Sequence, residues 1–175
     1  MFNSFSRELN LLPVLITNYH VIKDSLFKKK INLMLNDKNI EIELESNRKV
    51  YLSEKYNITI LEITKNDGLD INSFLELDEQ IFKENSSNDI YEQNSIFLLQ
   101  NSEYSKGKIS RLHKDNFTFE YSSISKPYSI GSPIINISNY KVIAIHKENK
   151  EEYNIGVFIK KPTLNFIKKK KSLEI

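Results

Sequence analysis

The sequence predicts an all-β protein that contains two small antiparallel barrels. Its segments are short, rich in β-branched residues and separated by polar turn clusters at intervals of about 8–12 residues, a spacing typical of barrels and sandwiches. The stretch 39–45 alternates apolar and charged residues, which predicts a half-exposed strand with Ile40, Ile42 and Leu44 on its buried face. Helical signals are few, so strands carry most of the fold.

Taken in order, the β-rich segments give eleven predicted strands, a number that suits two barrels. A short helix is expected after a histidine, over residues 21–30. Another is expected over residues 162–171, where Pro162 suits a first helical position and the apolar residues recur at helical spacing. The predicted strands cover residues 13–17, 31–35, 40–45, 49–52, 58–63, 95–99, 106–112, 117–121, 133–137, 141–146 and 154–159.

Composition narrows the class of protein further. The chain has 175 residues, of which 39% are hydrophobic, enough for one domain or two small lobes with a core. Its 25 basic and 23 acidic residues leave a net charge of +2, which favours no polyanionic partner. The absence of cysteine excludes a disulfide framework, a thiolate metal site and a cysteine nucleophile, and it fits a reducing compartment.

Neither a secretory signal nor a membrane span is expected. The opening residues lack a basic cluster, and Pro13 interrupts their apolar run. No segment approaches the roughly 20 apolar residues that cross a bilayer. We therefore expect a cytoplasmic protein.

A polar, acidic stretch divides the chain into lobes. We expect an N-terminal lobe over residues 1–80, a connection over 81–94, a second lobe over 95–161 and a C-terminal helix with a basic tail over 162–175.

Three motifs carry the functional prediction. "LITNYHVI" runs from residue 15 to 22, "YNITILEI" from 56 to 63, and "YSIGSPIIN" from 128 to 136, followed by "YKVIAIH" at 140–146. In this order the chain resembles the trypsin-like serine peptidases, nearest the compact bacterial glutamyl endopeptidase type, from about residue 12 to residue 167. The resemblance implies two six-stranded barrels with the site in the cleft between them. The family's glycine-containing first strand has no counterpart, so that strand is degenerate or the barrel is incomplete.

Position by position, the resemblance places His20 on the general base. Asn57 falls on the orienting aspartate, and Ile130 falls on the nucleophilic serine. The oxyanion hole corresponds to Tyr128, where the family has glycine, and to Ile130. Isoleucine has no lone pair and no proton for His20 to remove, so no acyl-enzyme can form at this position. An asparagine offers no charge to imidazolium and can favour the wrong tautomer, and Tyr128 is expected to distort the hole.

Two neighbouring serines keep an alternative open. Ser129 or Ser132 would serve as the nucleophile with His20 if the loop adopted a different register. Ser129 lies one residue early, however, and use of Ser132 would put Pro133 directly after the nucleophile. An active serine endopeptidase is thus the competing interpretation.

The other histidines suggest little further chemistry. His146 falls on a position that lines the acidic-specificity pocket of the glutamyl endopeptidases, or it is a strand-end histidine satisfied by hydrogen bonds; both interpretations stay open. His113 lies in a polar turn. The three histidines are far apart, so neither a metal nor a cofactor is expected. The lysine runs at 28–30 and 168–171 lack interleaved aromatic residues, and no nucleic acid partner is expected.

Together these features predict a catalytically inactive homologue that keeps the scaffold and binds, if anything, a peptide or protein in the old cleft. The sequence does not determine its oligomeric state.

Overall fold

A computed structural model describes residues 13–27, 30–35, 38–44, 48–70, 74–83, 85–100 and 103–171. The chain divides into two compact units, residues 1–74 and residues 75–175. The predicted boundary lay near residue 80, and the residues just before and within the predicted connection belong to the second unit. There they form two short 3-10 helices, Glu79–Phe82 and Asn88–Tyr91.

The described residues form eleven strands, and each has a predicted counterpart. The first helix begins two residues earlier than predicted, at Tyr19, and the second begins at Lys160. Residues 1–12, with the question of the first strand, lie outside the described residues, as do Lys28, Lys29 and Glu45. The elements are β1 (Val14–Thr17), α1 (Tyr19–Phe27), β2 (Lys30–Leu35), β3 (Lys38–Glu43), β4 (Val50–Ser53), β5 (Ile58–Glu62), a 3-10 turn (Lys65–Asp67), β6 (Ser95–Gln100), β7 (Glu103–Leu112), β8 (Thr118–Ser122), β9 (Pro133–Asn136), β10 (Lys141–Asn149), β11 (Asn154–Phe158) and α2 (Lys160–Lys171).

The second unit is a closed six-stranded barrel in the order β10-β11-β8-β7-β6-β9, with every pair antiparallel. Side chains alternate across the strands, as the pleat requires. In β6, Ile96, Leu98 and Gln100 are buried, while Ser95, Phe97 and Leu99 lie on the other face. Buried apolar side chains fill the core, among them Ile109, Phe119, Tyr121, Ile134, Ile143 and Phe158.

Close packing inside this barrel explains one glycine. A Cβ at Gly156 would lie 2.3 Å from the ring of Phe119, which is fully buried. The centroid of that ring is 4.4 Å from the centroid of the Phe158 ring, and the two rings are tilted by 35°. That ring has no free space to move into. The position on β11 therefore requires a residue without a side chain.

The first unit contains five described strands. They form a three-stranded sheet in the order β1-β5-β4 and a β2-β3 hairpin. Ile42 is fully buried and its neighbours Glu41 and Glu43 are exposed, which confirms the alternation predicted for this strand. The closure of these strands into a second six-stranded barrel is not seen among the described residues and stays a prediction.

A buried ion pair braces the first unit. The guanidinium of Arg48 donates two hydrogen bonds to the carboxylate of Asp67, at 2.7 and 2.8 Å, and a third to the carbonyl of Glu62 at 3.0 Å. Both charged side chains are about 95% buried, with exposed fractions of 5% and 4%. Burial alone would raise the pKa of Asp67, but the hydrogen bonds from Arg48 and Thr64 hold that pKa below its usual value.

No helix in the described part of the chain is long and apolar enough to cross a membrane.

Candidate functional site

His20 and Asn57 are brought together within the first unit. The chain leaves β1 at Thr17 and turns into α1, whose first turn carries His20 on the surface. Asn57 ends the turn before β5 with φ of 51°, in the left-handed region that asparagine tolerates better than most residues. Its carbonyl accepts hydrogen bonds from the amide of Tyr19 at 3.1 Å and from the side chain of Asn18 at 3.2 Å. The two motifs are thus fixed against each other by the backbone.

The side chain of Asn57 contacts both the imidazole and the backbone of His20. Its Oδ1 lies 3.0 Å from Nδ1 of His20 and also accepts the backbone N–H of His20 at 3.3 Å. A backbone N–H can only donate, so it selects the oxygen of the amide group and turns the NH₂ away from the imidazole. His20 must then donate through Nδ1–H, which leaves Nε2 as the basic nitrogen. The sequence-based expectation of a wrong tautomer does not follow from this arrangement.

In the second unit, the loop 126–133 keeps the hydrogen bonds of a tight turn. The amide of Ser129 donates to the carbonyl of Lys126 at 3.0 Å, and that of Ser132 donates to Ser129 at 2.9 Å. Gly131 has φ of 85° and donates to the carbonyl of His146 at 2.9 Å. Gly131 is the one residue of this loop with a positive φ, a conformation that glycine adopts without strain.

Ile130 stands at the exposed tip of this loop. The residue is 40% exposed, and it directly precedes Gly131. The amides of Tyr128 and Ile130 donate no hydrogen bond to any described residue, whereas those of Ser129, Gly131 and Ser132 all do. The two unbonded amides are the ones that the resemblance assigns to the oxyanion hole. The Tyr128 ring is exposed and lies 5.9 Å from the ammonium group of Lys126.

The hydroxyl of Ser129 belongs to a buried hydrogen-bond network with Gln100 and the backbone of Lys126. Its side chain is fully buried; the hydroxyl donates to Oε1 of Gln100 and accepts the backbone N–H of Lys126 at 2.8 Å. Oε1 of Gln100 also accepts that N–H at 2.9 Å, and Nε2 of Gln100 donates to the carbonyl of Ile124 at 2.9 Å. The hydroxyl is therefore engaged on both sides and shielded from solvent, an arrangement that opposes its use as a nucleophile.

Ser132 is the more accessible of the two serines. It is partly exposed, and its backbone is engaged on both sides, since its carbonyl accepts the amide of His146 at 2.8 Å. Its hydroxyl forms no hydrogen bond with any residue that the structure describes. Pro133 starts β9 immediately afterwards and pairs with Ile145 of β10.

His146 lies inside the barrel. It is fully buried, and its Nδ1 lies 2.6 Å from the hydroxyl of Tyr121, whose ring meets the imidazole edge-on. Nε2 is buried and has no hydrogen-bond partner among the described residues. Burial lowers the pKa of His146 and raises the pKa of Tyr121, so both rings are neutral near pH 7. Tyr121 then donates to Nδ1, and the proton of the imidazole sits on Nε2.

His113 forms a surface cluster. Its Nδ1 lies 2.8 Å from the hydroxyl of Thr118 and its Nε2 lies 3.1 Å from the carboxylate of Glu120. Among the described residues, no three histidine, aspartate or glutamate side chains are grouped so as to hold a metal ion.

Sequence reasoning missed two residues of these sites, Gln100 and Tyr121. Both were visible as polar or amphipathic side chains at inward positions of strands, since Gln100 follows Ile96 and Leu98 at spacing two. A polar group that faces a core requires a partner, and that requirement was the available signal.

Comparisons with known proteins bear on the fold. Neither a protein-family model nor a curated protein sequence matches the chain. Among solved structures, a serine protease of a human pathogenic astrovirus is similar, with a TM-score of 0.56 and 16% identity over 82% of this chain and 76% of that one. The chain therefore has a trypsin-like serine protease fold, mostly β, with a closed six-stranded barrel and a short C-terminal helix.

Proposed function

We propose that this chain is a catalytically inactive homologue of the trypsin-like serine peptidases that acts as a scaffold for a peptide or protein ligand. The observation that carries the proposal is Ile130. An aliphatic side chain occupies the exposed tip of the loop, one residue before the left-handed Gly131. Acyl transfer requires an oxygen or sulfur nucleophile at that tip, and Ile130 offers neither.

The environment of Ser129 supports inactivity. Its hydroxyl is buried and bonded to Gln100 and to the backbone of Lys126, so releasing it would break two hydrogen bonds inside the barrel. Ser132 keeps the alternative of an active endopeptidase open, because its hydroxyl is unbonded among the described residues. Its use would still require a proline directly after the nucleophile.

Features of each unit, taken by itself, support a binding role. His20 keeps its orienting hydrogen bond to Asn57, and the amides of Tyr128 and Ile130 are free to donate to a ligand carbonyl. Exposed Tyr128 and Ile130 add apolar contact area. We further propose that the chain is nearest the glutamyl endopeptidase type, that its first unit is the counterpart of that family's first barrel, and that it works in the cytoplasm.

A fluorophosphonate probe and a casein digest test the proposal. We expect the wild-type protein neither to label nor to cleave. Labelling or cleavage that is lost in both His20→Ala and Ser132→Ala would overturn inactivity and identify Ser132 as the nucleophile. Ser129→Ala serves as the matched serine control.

A peptide library displayed on phage tests the binding role separately. Selected peptides should bind the wild-type protein and bind Ile130→Arg at least tenfold more weakly. Peptides that bind both forms equally would contradict a role for this loop.

A further inference from the structure

The outer face of the C-terminal barrel carries aromatic side chains that its core does not use. Phe97 of β6 points outward, and two tyrosine rings lie against it. The ring of Tyr104, from β7, is centred 5.1 Å away, and that of Tyr140, from the turn before β10, is centred 6.4 Å away. The exposed fractions of Tyr104 and Tyr140 are 69% and 71%. We call Phe97, Tyr104 and Tyr140, together with Lys106 and Lys108, the aromatic face.

The packing of the barrel core does not account for the exposed positions of Tyr104 and Tyr140. Each leaves most of its ring in water, where a polar side chain would be favoured. Tyr140 also has φ of 57°, a left-handed conformation that disfavours bulky residues. The near-parallel rings of Tyr140 and Phe97, 24° apart, present a flat apolar surface to solvent. Such backbone strain beneath an exposed ring points to a binding role.

Two lysines share this face. Alternation along β7 puts Lys106 and Lys108 on the same side as Tyr104, at intervals of about 7 Å. Lys106 lies directly across from Phe97, and Lys108 directly across from Ser95. Neither ammonium group forms an ion pair with any residue in the described ranges. Their positive charge is therefore available to a ligand.

Three glutamates beside the aromatic face form ion pairs with two lysines. Lys141, next to Tyr140, lies 3.3 Å from the carboxylate of Glu76 and 3.1 Å from that of Glu79. Glu103, next to Tyr104, forms an ion pair with Lys126. Lys141 balances only one of its two glutamates, so one negative charge is left over there, against the two positive charges of Lys106 and Lys108.

From this arrangement we propose that the aromatic face binds single-stranded nucleic acid. Bases stack on the exposed rings while Lys106 and Lys108 contact the phosphates, the combination by which sheet surfaces hold single strands. A protein partner fits less well, because lysine is depleted from the centres of protein interfaces and Lys106 lies opposite the central ring. No nucleic acid partner was predicted from the sequence, because Phe97 and Tyr140 join Tyr104, Lys106 and Lys108 of β7 only through the barrel.

Fluorescence anisotropy with a labelled single-stranded oligonucleotide of roughly 12 nucleotides, as oligo(dT) or oligo(U), measures this binding. Tyr104→Ala and Tyr140→Ala should each raise the Kd about tenfold, while Tyr104→Phe and Tyr140→Phe should keep it, because stacking needs the ring alone. Lys106→Gln should reduce the dependence of log K on log salt by about 0.7. Tyr153→Ala and Lys150→Gln, in the turn between β10 and β11, are the matched controls and should leave binding unchanged.

A tryptophan reporter tests stacking directly. The chain contains no tryptophan, so the emission of a Tyr104→Trp variant comes from one position. Oligo(dT) should quench that emission and should not quench a Tyr153→Trp variant. The proposal is overturned if no oligonucleotide binds, if duplex DNA binds as tightly as the single strand, or if both tryptophans respond alike. It is also overturned if the aromatic face captures a protein while binding no oligonucleotide.

Discussion

Asn57 turns its side-chain oxygen, and not its amide nitrogen, toward the imidazole of His20. The backbone N–H of His20 donates to the same oxygen at 3.3 Å, and this second bond fixes the orientation of the amide group. The first unit thus holds the imidazole of His20 against a neutral acceptor. A neutral acceptor still selects the tautomer; what it cannot do is stabilise imidazolium.

The tautomer of His20 follows from this contact. In ¹⁵N-labelled protein above pH 7.5, we expect the long-range ¹H–¹⁵N spectrum to show His20 protonated at Nδ1. Asn57→Ala removes the acceptor and should shift the population toward the Nε2–H form that free imidazole favours. A spectrum in which wild-type His20 carries its proton on Nε2 would show that the amide group of Asn57 has the opposite orientation.

The hydrogen bond between Gln100 and Ser129 should contribute to the free energy of unfolding. Gln100→Leu leaves the hydroxyl of Ser129 without its acceptor, although the carbonyl of Ile124 keeps a hydrogen bond from Ser105. We expect a loss of about 1–3 kcal/mol in the free energy of unfolding. Ser129→Ala removes one donor and should cost about 1 kcal/mol. Urea denaturation measures both.

Ser132→Ala is the matched control for these two variants. Its hydroxyl has no partner among the described residues, so the substitution should leave the urea midpoint within experimental error. If Gln100→Leu were as stable as the wild type, the network would have no structural role and the burial of Ser129 would need another explanation.

Strand positions could be predicted because they depend on local pattern. The alternation around Ile42 and the β-branched run from Ile58 are visible within a few residues. Both strands formed, the first of them two residues earlier than predicted. The helical signal next to His20 was equally local, although the helix begins at Tyr19 and includes His20. These features need no knowledge of which strands pair.

Partners distant in sequence could not be predicted in the same way. Tyr121 meets His146 across 25 residues and Ser129 meets Gln100 across 29, in both cases through the register of the closed barrel. The grouping of Phe97 with Tyr140 has the same origin. A sequence shows that a polar residue faces inward, but the pairing of strands decides what it meets.

The ion pair between Arg48 and Asp67 should dominate the acid sensitivity of the first unit. Asp67→Asn leaves a buried guanidinium without its counter-charge, and we expect it to cost about 3 kcal/mol of unfolding free energy at pH 7. Because the pKa of Asp67 is lower in the folded than in the unfolded protein, the stabilisation is complete above 3.8 and is lost as the pH falls below that value. Denaturation curves between pH 7 and pH 2 check both statements.

Glu41→Gln is the control for this effect, because it removes one member of a surface pair with Lys30 in which both side chains are about half exposed. It should change stability little. An Asp67→Asn variant whose pH dependence matched that of the wild type would show that other groups govern the acid response.

His146 should make the C-terminal barrel sensitive to mild acid. Burial lowers the pKa of this histidine in the folded protein, whereas the unfolded chain takes up a proton near 6.5. The unfolded state therefore binds more protons between the folded pKa and 6.5, and stability falls as the pH drops through that window.

His146→Gln removes the titrating group, so its melting temperature should fall less than that of the wild type between pH 7.5 and pH 5. The prediction is wrong if the melting temperatures of the wild type and His146→Gln depend on pH in the same way. The buried imidazole would then take up its proton inside the folded barrel, and Nε2 would have access to an acceptor there.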